Sequence, residues 1–326
     1  MQRKKFYIDE NQCFISLIST YNLYRYTGDV LQTLSQHNAI VVEHLKSSEN
    51  FYLVEFQKEI FETTVDEIKE LVLRPAGKEF FWPVDVVERG THTYWVFPYK
   101  EVNASESLIK NEMKNGDFFG LEKEHIKTLV INFINAFKTL YDNEYLYHVW
   151  KDTSLFVDMS TFNLLLPFTE YVSVGRYKPK TIEKDEYYSE YSDPYALTHE
   201  RKYDYYSEMF ALASLLFRLL IGRFPYEGCL MDGIPKETTS EYAYWLDEYF
   251  SHPIFIFDKS DIRNKIGEFG HEKIYLQRWL SLSDNLRNMF SGCLSEANTM
   301  RKNFDLITYT PQQWLDEILN FEFKLK

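Results

Sequence analysis

The first third of the chain alternates hydrophobic and polar residues with a strand-like period. NAIVVEHL at 38–45 and NFYLVEFQKE at 50–59 are short runs rich in β-branched and aromatic residues, and the polar KSSE joins them. Two such runs around a short polar loop predict a β-hairpin. A second hairpin is predicted for 82–99, with its turn at Arg89 and Gly90.

Between these hairpins, and again after residue 99, the period changes to that of a helix. TTVDEIKELVLR at 63–74 has threonine caps, acidic residues in its first turn and a proline after its end, which together predict one helix. The segment 204–222 is apolar nearly all round, which predicts a helix buried in the middle of a domain. Further helices are predicted at 122–141, 284–294 and 311–321.

The order of these elements divides the chain into three parts. Residues 1–20 are assigned to an N-terminal extension, residues 21–98 to a strand-rich lobe with one main helix, and residues 99–326 to a larger helical lobe. The boundary is placed near residue 98, where the strand pattern stops. A chain of 326 residues is long enough to form such a unit as one large domain.

Composition and charge indicate which classes of binding partner the chain can have. The net charge is −13, and no basic run is longer than Arg3-Lys4-Lys5, so phosphate backbones and anionic lipid headgroups should be repelled. The longest strongly apolar run, 211–222, is too short to span a bilayer. We therefore expect no nucleic-acid partner and no membrane insertion. The 25 tyrosines and 26 phenylalanines suit either a packed core or an interface with another protein.

The cysteines and the N-terminus indicate a cytoplasmic protein without a bound metal. Cys13, Cys229 and Cys293 are far apart in the sequence, so they form neither a disulfide framework nor a zinc-ligand pair. Asp9 and Glu10 interrupt any apolar region of a signal peptide. We expect three buried, reduced thiols in the cytoplasm and no cofactor.

Two stretches carry a resemblance to a known family. YSDPYALTHERKYDYYSEMFALASLLFRLLIGRFPYEG at 191–228 ends in G-R-F-P-Y-E-G, and LYDNEYLYHVWKDTSLFVD at 140–158 aligns without a gap with the kinase pattern LHSKGIVHRDLKPENILLD. Both resemble protein kinases. The resemblance implies an α+β, bilobal protein-kinase-like fold with a small β-rich lobe and a larger, mostly helical lobe. It also implies that Glu208 binds the backbone of the catalytic loop.

The same resemblance implies that the catalytic chemistry is lost. Val149 stands at the catalytic aspartate, Ser154 at the asparagine that binds the second metal ion, Pro167 at the aspartate of D-F-G, and Glu55 near the lysine that pairs with ATP. Phosphoryl transfer depends on positioning and charge neutralisation, and these side chains supply neither. We expect ATP binding to be weak or absent, and neither a catalytic nor a metal-binding residue is predicted.

The sequence therefore predicts a pseudokinase that acts as a protein-binding scaffold or an allosteric regulator. A different register, with two insertions, makes Asp152, Asp158 and Glu170 a carboxylate set for an atypical transferase on the same fold. A third possibility is a structural subunit of a larger complex, with the surplus aromatic residues buried at an interface.

The tyrosines of the segment 184–210 are the candidate protein-binding residues. They lie among acidic residues, at the place of the activation segment of a kinase, and can equally cover the helical lobe as an ordinary solvated loop. The candidates are Tyr187, Tyr188, Tyr191, Tyr195, Tyr203, Tyr205 and Tyr206.

Overall fold

A computed structural model describes most of the chain. The described residues are 13–19, 21–32, 38–55, 64–99, 121–151, 155–158, 161–166, 172–175, 189–197, 203–229, 240–251, 253–266, 272–295 and 308–322.

Six antiparallel strands form a closed barrel. The strands are β1 (Cys13–Ser16), β2 (Leu23–Gln32), β3 (Asn38–His44), β4 (Asn50–Glu55), β5 (Asp85–Arg89) and β6 (His92–Pro98). Their order around the barrel is β1-β2-β3-β4-β6-β5. The barrel closes because β1 pairs with β5 as well as with β2, with Ile15 opposite Glu88 and Ser16 opposite Val87. Both predicted hairpins, β3–β4 and β5–β6, are confirmed.

This barrel overturns the predicted fold class. The sequence indicated a bilobal protein-kinase-like fold with a small β-rich lobe and a larger, mostly helical lobe, and that prediction is wrong, since the six strands close into a barrel through the pairing of β1 with β5. Closure removes the unpaired edge strands that an open sheet exposes. The closing strand, Cys13–Ser16, has only four residues. It lies within residues 1–20, which were predicted to be an N-terminal extension.

A buried carboxylate stabilises the junction at which the barrel closes. Asp85 on β5 is 1% exposed and accepts hydrogen bonds from Ser16 Oγ at 2.6 Å, Tyr24 Oη at 2.9 Å and Asn22 Nδ2 at 3.1 Å. Burial and the adjacent Asp85 carboxylate raise the pKa of Tyr24 well above its usual range. Asp85 therefore connects the two ends of the strand order, β1–β2 and β5.

Outside the barrel strands, the described residues form helices of four to twenty-one residues. They are α1 (Val65–Leu73), α2 (Lys123–Asn143), α3 (Pro194–Leu197), α4 (Tyr205–Ile221), α5 (Ser240–Ser251), α6 (Lys273–Ser281), α7 (Asp284–Leu294) and α8 (Pro311–Asn320). The five helices predicted from the sequence are confirmed within two residues at each end. Thr64 caps α1 in a capping box with Glu67, and Gly222 ends α4 at φ 90°, a left-handed conformation that glycine adopts without strain. Across the described ranges, each helix is too short or too polar to cross a bilayer.

Two hydrophobic cores lie on opposite faces of the barrel strands. One fills the barrel interior and includes Leu53 of β4. The other begins on the outer face with Val54, the next residue of the same strand, and continues through Phe133 of α2 and Phe217 of α4 to Trp314 of α8. Successive residues of a strand point to opposite faces, so β4 contributes to both cores. The barrel and the helices are thus joined by one continuous apolar cluster.

Candidate functional site

The loop that resembles a kinase catalytic loop lies between α2 and a short hairpin. Glu144 ends α2 in a left-handed conformation, at φ 61°. The short strand β7 (Tyr145–Leu146) then pairs with β10 (Ser173–Val174), and after the loop, β8 (Phe156–Val157) pairs with β9 (Leu164–Leu165). The loop is therefore held at both ends by strand pairing.

Glu208 of α4 holds the middle of this loop. Its Oε1 accepts from the backbone N–H of Tyr147 at 2.7 Å and of His148 at 2.8 Å, and from Tyr203 Oη at 3.0 Å. Its Oε2 accepts from Trp150 Nε1 at 2.5 Å. The contact between Glu208 and the loop backbone, which the resemblance implied, is thus present.

Burial shifts the pKa values of two groups, Glu208 and Tyr203, in what we call the Glu208 cluster (Tyr147, His148, Trp150, Tyr203 and Glu208). Glu208 is 3% exposed. Burial raises the pKa of its carboxyl above the ordinary 4.5, although the donated hydrogen bonds from His148, Trp150, Tyr203 and Tyr147 act in the opposite direction. Burial, followed by the charge of Glu208, also raises the pKa of Tyr203. A buried carboxylate that accepts four hydrogen bonds has a structural role in holding its donors.

His148 adopts a backbone conformation that non-glycine residues rarely use. Its φ is 68° and its side chain is 4% exposed. The ring lies 4.6 Å from the ring of Tyr203, and Nε2 is 2.7 Å from Ser173 Oγ. A strained residue persists only where its surroundings determine its conformation strongly. Here the backbone bond to Glu208 and the bond to Ser173 fix His148 from two sides.

Val149, at the predicted position of the catalytic aspartate, is a core residue. Its side chain is 1% exposed and belongs to the large hydrophobic cluster. The next residue, Trp150, stacks on Phe137 of α2 with ring centroids 3.8 Å apart, and its carbonyl accepts from Ser189 Oγ. Valine can neither accept a proton nor bind a metal ion. The loop position that would perform proton transfer is therefore apolar and excluded from solvent.

The other degenerate positions are only partly visible. Ser154 and Pro167 lie outside the described residues. Glu55 ends β4, is exposed, and places Oε1 2.5 Å from Nδ1 of His92 on β6. Because side chains alternate along a strand, Glu55 lies on the same face of β4 as Leu53, the face that points to the barrel interior. It therefore does not face the large cluster that contains Val149.

The alternative carboxylate set also falls mostly outside the described residues. Asp152 and Glu170 are not described, whereas Asp158 lies at the turn between β8 and β9. Its Oδ2 accepts from Thr161 Oγ1 at 2.7 Å, and its backbone N–H donates to Asn163 O at 3.0 Å. Among the three carboxylates, the one that can be placed is thus engaged in shaping a turn.

The described candidate tyrosines pack inside the helical part of the chain. Tyr191 is fully buried with its ring 5.3 Å from that of Phe224, and Tyr203 belongs to the Glu208 cluster. Tyr205 and Tyr206 are half-buried on the first turn of α4, with ring centroids 5.7 Å apart. Tyr187, Tyr188 and the side chain of Tyr195 lie outside the described part. A binding role for the segment stays a prediction.

A surface cavity of about 390 Å³ was not foreseen from the sequence. It opens beside the β8–β9 hairpin, against α2 and the segment after α1. Its lining consists of Lys78, Glu79, Asn132, Asn135, Phe156, Val157, Asp158, Asn163, Leu164 and Leu165. The signal available in the sequence was the pair Asn132 and Asn135, which share one face of α2.

The described part of the chain contains no group of three or more His, Cys, Asp or Glu side chains arranged to hold a metal ion. No protein-family model matches the sequence, and no curated protein is similar enough to count as a relative.

Proposed function

We propose that the chain is a pseudoenzyme, related to protein kinases through the segments 140–158 and 191–228, that lacks phosphotransfer activity and acts by binding another protein. The relationship is proposed for these segments and not for the architecture, which is a barrel joined to helices. The partner is a protein, and the place of action is the cytoplasm.

The burial of Val149 is the observation that carries the proposal. A catalytic carboxylate must reach a substrate hydroxyl, whereas the side chain at this position is 1% exposed and packs in the apolar cluster. The neighbouring Glu208 cluster keeps the shape of the loop through four hydrogen bonds. A loop that is held by these hydrogen bonds and has no reacting group at Val149 supports a function in recognition.

The cytoplasmic assignment rests on the cysteines. Cys13, Cys229 and Cys293 are all free thiols, as is usual in a reducing compartment. The prediction that all three are buried is wrong for Cys13 and Cys229, which are exposed, and is confirmed for Cys293. Burial raises the pKa of the Cys293 thiol to about 12. This thiol is therefore unreactive at neutral pH.

Mg²⁺–ATP should leave the melting temperature of the protein unchanged to within about 1 °C. A site with a dissociation constant of about 50 μM would, at a hundredfold excess of ligand, add about 2.7 kcal/mol to the free energy of unfolding. That would raise the melting temperature by about 5 °C or more. Differential scanning fluorimetry with 5 mM Mg²⁺–ATP (about a hundredfold excess), with Mg²⁺ alone as the control, measures this directly. A clear ATP-dependent rise would contradict the proposal.

Restoring the missing carboxylate in Val149→Asp should destabilise the protein and restore no phosphotransfer. The new carboxyl would be buried among apolar side chains, at a cost of about 2–3 kcal/mol of unfolding free energy. Urea denaturation measures the loss. Val84→Asp is the matched control, because Val84 is 47% exposed and the change there should cost less than about 0.5 kcal/mol. Phosphotransfer by Val149→Asp would show that the loop still forms a working site.

A further inference from the structure

Three separate segments build the surface cavity beside the β8–β9 hairpin. Lys78 and Glu79 follow α1, Asn132 and Asn135 lie on α2, and the remaining lining residues come from the hairpin. The segments are tied together at this point: Leu166 N–H donates to Glu79 O at 2.7 Å, and Asn132 Nδ2 donates to Phe162 O at 2.7 Å. The cavity therefore lies where the segment after α1, α2 and the hairpin are held together by hydrogen bonds.

The polar part of the lining is rich in hydrogen-bond acceptors. Glu79 and Asp158 carry carboxylates, which accept hydrogen bonds but do not donate them when ionised. Asp158 already accepts from Thr161 Oγ1 through Oδ2, and a carboxylate can accept more than one hydrogen bond. Asn132 uses one of its two Nδ2 donors on the hairpin backbone, and its carbonyl oxygen is an acceptor in the lining. Asn135 and Asn163 add two further carboxamides. A ligand that fits this set must bring several donors.

The rest of the lining is apolar and comes from the hairpin strands. Phe156, Val157, Leu164 and Leu165 supply this surface, which suits the alkyl stem of a long side chain. The lining contains two carboxylates and one cation, Lys78, and the whole chain carries a net charge of −13. An anionic ligand would therefore be repelled, and a cation attracted.

We propose that this cavity binds an arginine side chain from a basic segment of the partner protein. The guanidinium group has five donors in a planar fork that matches carboxylates, and its stem is apolar. Arginine is also among the residues that contribute most to protein–protein affinity. The inference rests on the proposed protein-binding function and specifies the partner chemistry.

A pair of peptides tests the role of the charge. The probe is a fluorescein-labelled Gly-Ser-Leu-Arg-Leu-Ser-Gly, and its control carries citrulline, which has nearly the same shape as arginine but no charge. Fluorescence anisotropy with the full chain should show binding at least about tenfold tighter for the arginine peptide. Equal affinities for the two peptides would overturn the proposal.

Protein variants locate the binding to the cavity. Asp158→Asn and Glu79→Gln should each lower the affinity for the arginine peptide by about threefold or more. Lys78→Ala should raise this affinity by about twofold to threefold, because a competing cation is removed. The gain in Lys78→Ala cannot arise from misfolding. Asp142→Asn is the control, since Asp142 lies on α2, pairs with Lys138 and does not line the cavity.

Unchanged affinity in all three cavity variants would place the peptide elsewhere and overturn the assignment. This outcome is distinguishable from failure of the proposed function, which the Mg²⁺–ATP measurement and the phosphotransfer assay decide independently of any peptide.

Discussion

Glu208→Ala should lower the free energy of unfolding by about 4 kcal/mol, or prevent folding altogether. The change removes the acceptor of two backbone N–H groups, of Trp150 Nε1 and of Tyr203 Oη. Each buried donor left without an acceptor costs about 1–3 kcal/mol. Relief of the cost of burying the carboxylate offsets only part of this sum. Urea denaturation followed by tryptophan fluorescence measures the loss.

Tyr203→Phe is the matched control for that variant. It removes one donor to Glu208 and leaves the other three, so we expect a loss of about 1 kcal/mol. A loss in Glu208→Ala no larger than in Tyr203→Phe would mean that the carboxylate does not hold the loop. Both variants keep the apolar surface of α4, and the comparison therefore isolates the carboxylate and its bonds.

The Glu208 cluster also predicts a pH dependence of stability. Burial raises the folded-state pKa of Glu208 above the ordinary value of 4.5. For an acid shifted in this direction, the stabilising contribution is fully present below the unfolded pKa and is lost as pH rises through the folded pKa. The free energy of unfolding of the wild type minus that of Glu208→Gln should therefore fall as the pH is raised from about 4.5. A signed difference that increases over that range would contradict the direction of the shift.

Local signals explain why the individual helices and hairpins were predictable. The capping box of Thr64 and Glu67 and the left-handed Gly222 act within a few residues of the chain, so their sequence patterns contain the information. Closure of the barrel was not predictable in this way. It depends on four residues, Cys13–Ser16, pairing with β5, about seventy residues further along the chain.

The candidate site was predictable where it depends on spacing and unpredictable where it depends on packing. The contact of Glu208 with the loop followed from the resemblance and is present. The burial of Tyr191 did not follow, because a tyrosine among acidic residues is equally compatible with a surface loop and a core. The cavity could not be foreseen, since its lining comes from three segments whose approach is set by tertiary structure.

Asp85→Ala should destabilise the protein by about 3 kcal/mol and should do so by opening the barrel. The carboxylate accepts from Ser16, Asn22 and Tyr24, which belong to β1, β2 and the turn between them. Without it, the buried Tyr24 hydroxyl and the Ser16 hydroxyl lose their acceptor, at about 1–3 kcal/mol each. Because β1 contributes only four residues, strand pairing alone holds the closure weakly. Hydrogen exchange of the β1 and β5 amides should therefore accelerate more than exchange in α4.

Glu88→Ala is the control that separates the carboxylate of Asp85 from strand β5 itself. Glu88 lies on the same strand, pairs with Ile15 of β1 and is exposed, so its loss should cost less than about 0.5 kcal/mol. If Asp85→Ala is no more destabilised than Glu88→Ala, or if exchange rises equally in β1 and α4, the carboxylate is not what closes the barrel. If exchange rises in β1 and β5 alone, the barrel opens at this junction while the helices and the Glu208 cluster stay folded. In that case the closing strand β1 and the helical core unfold with separate free energies, and the carboxylate of Asp85 is what keeps β1 paired in the barrel.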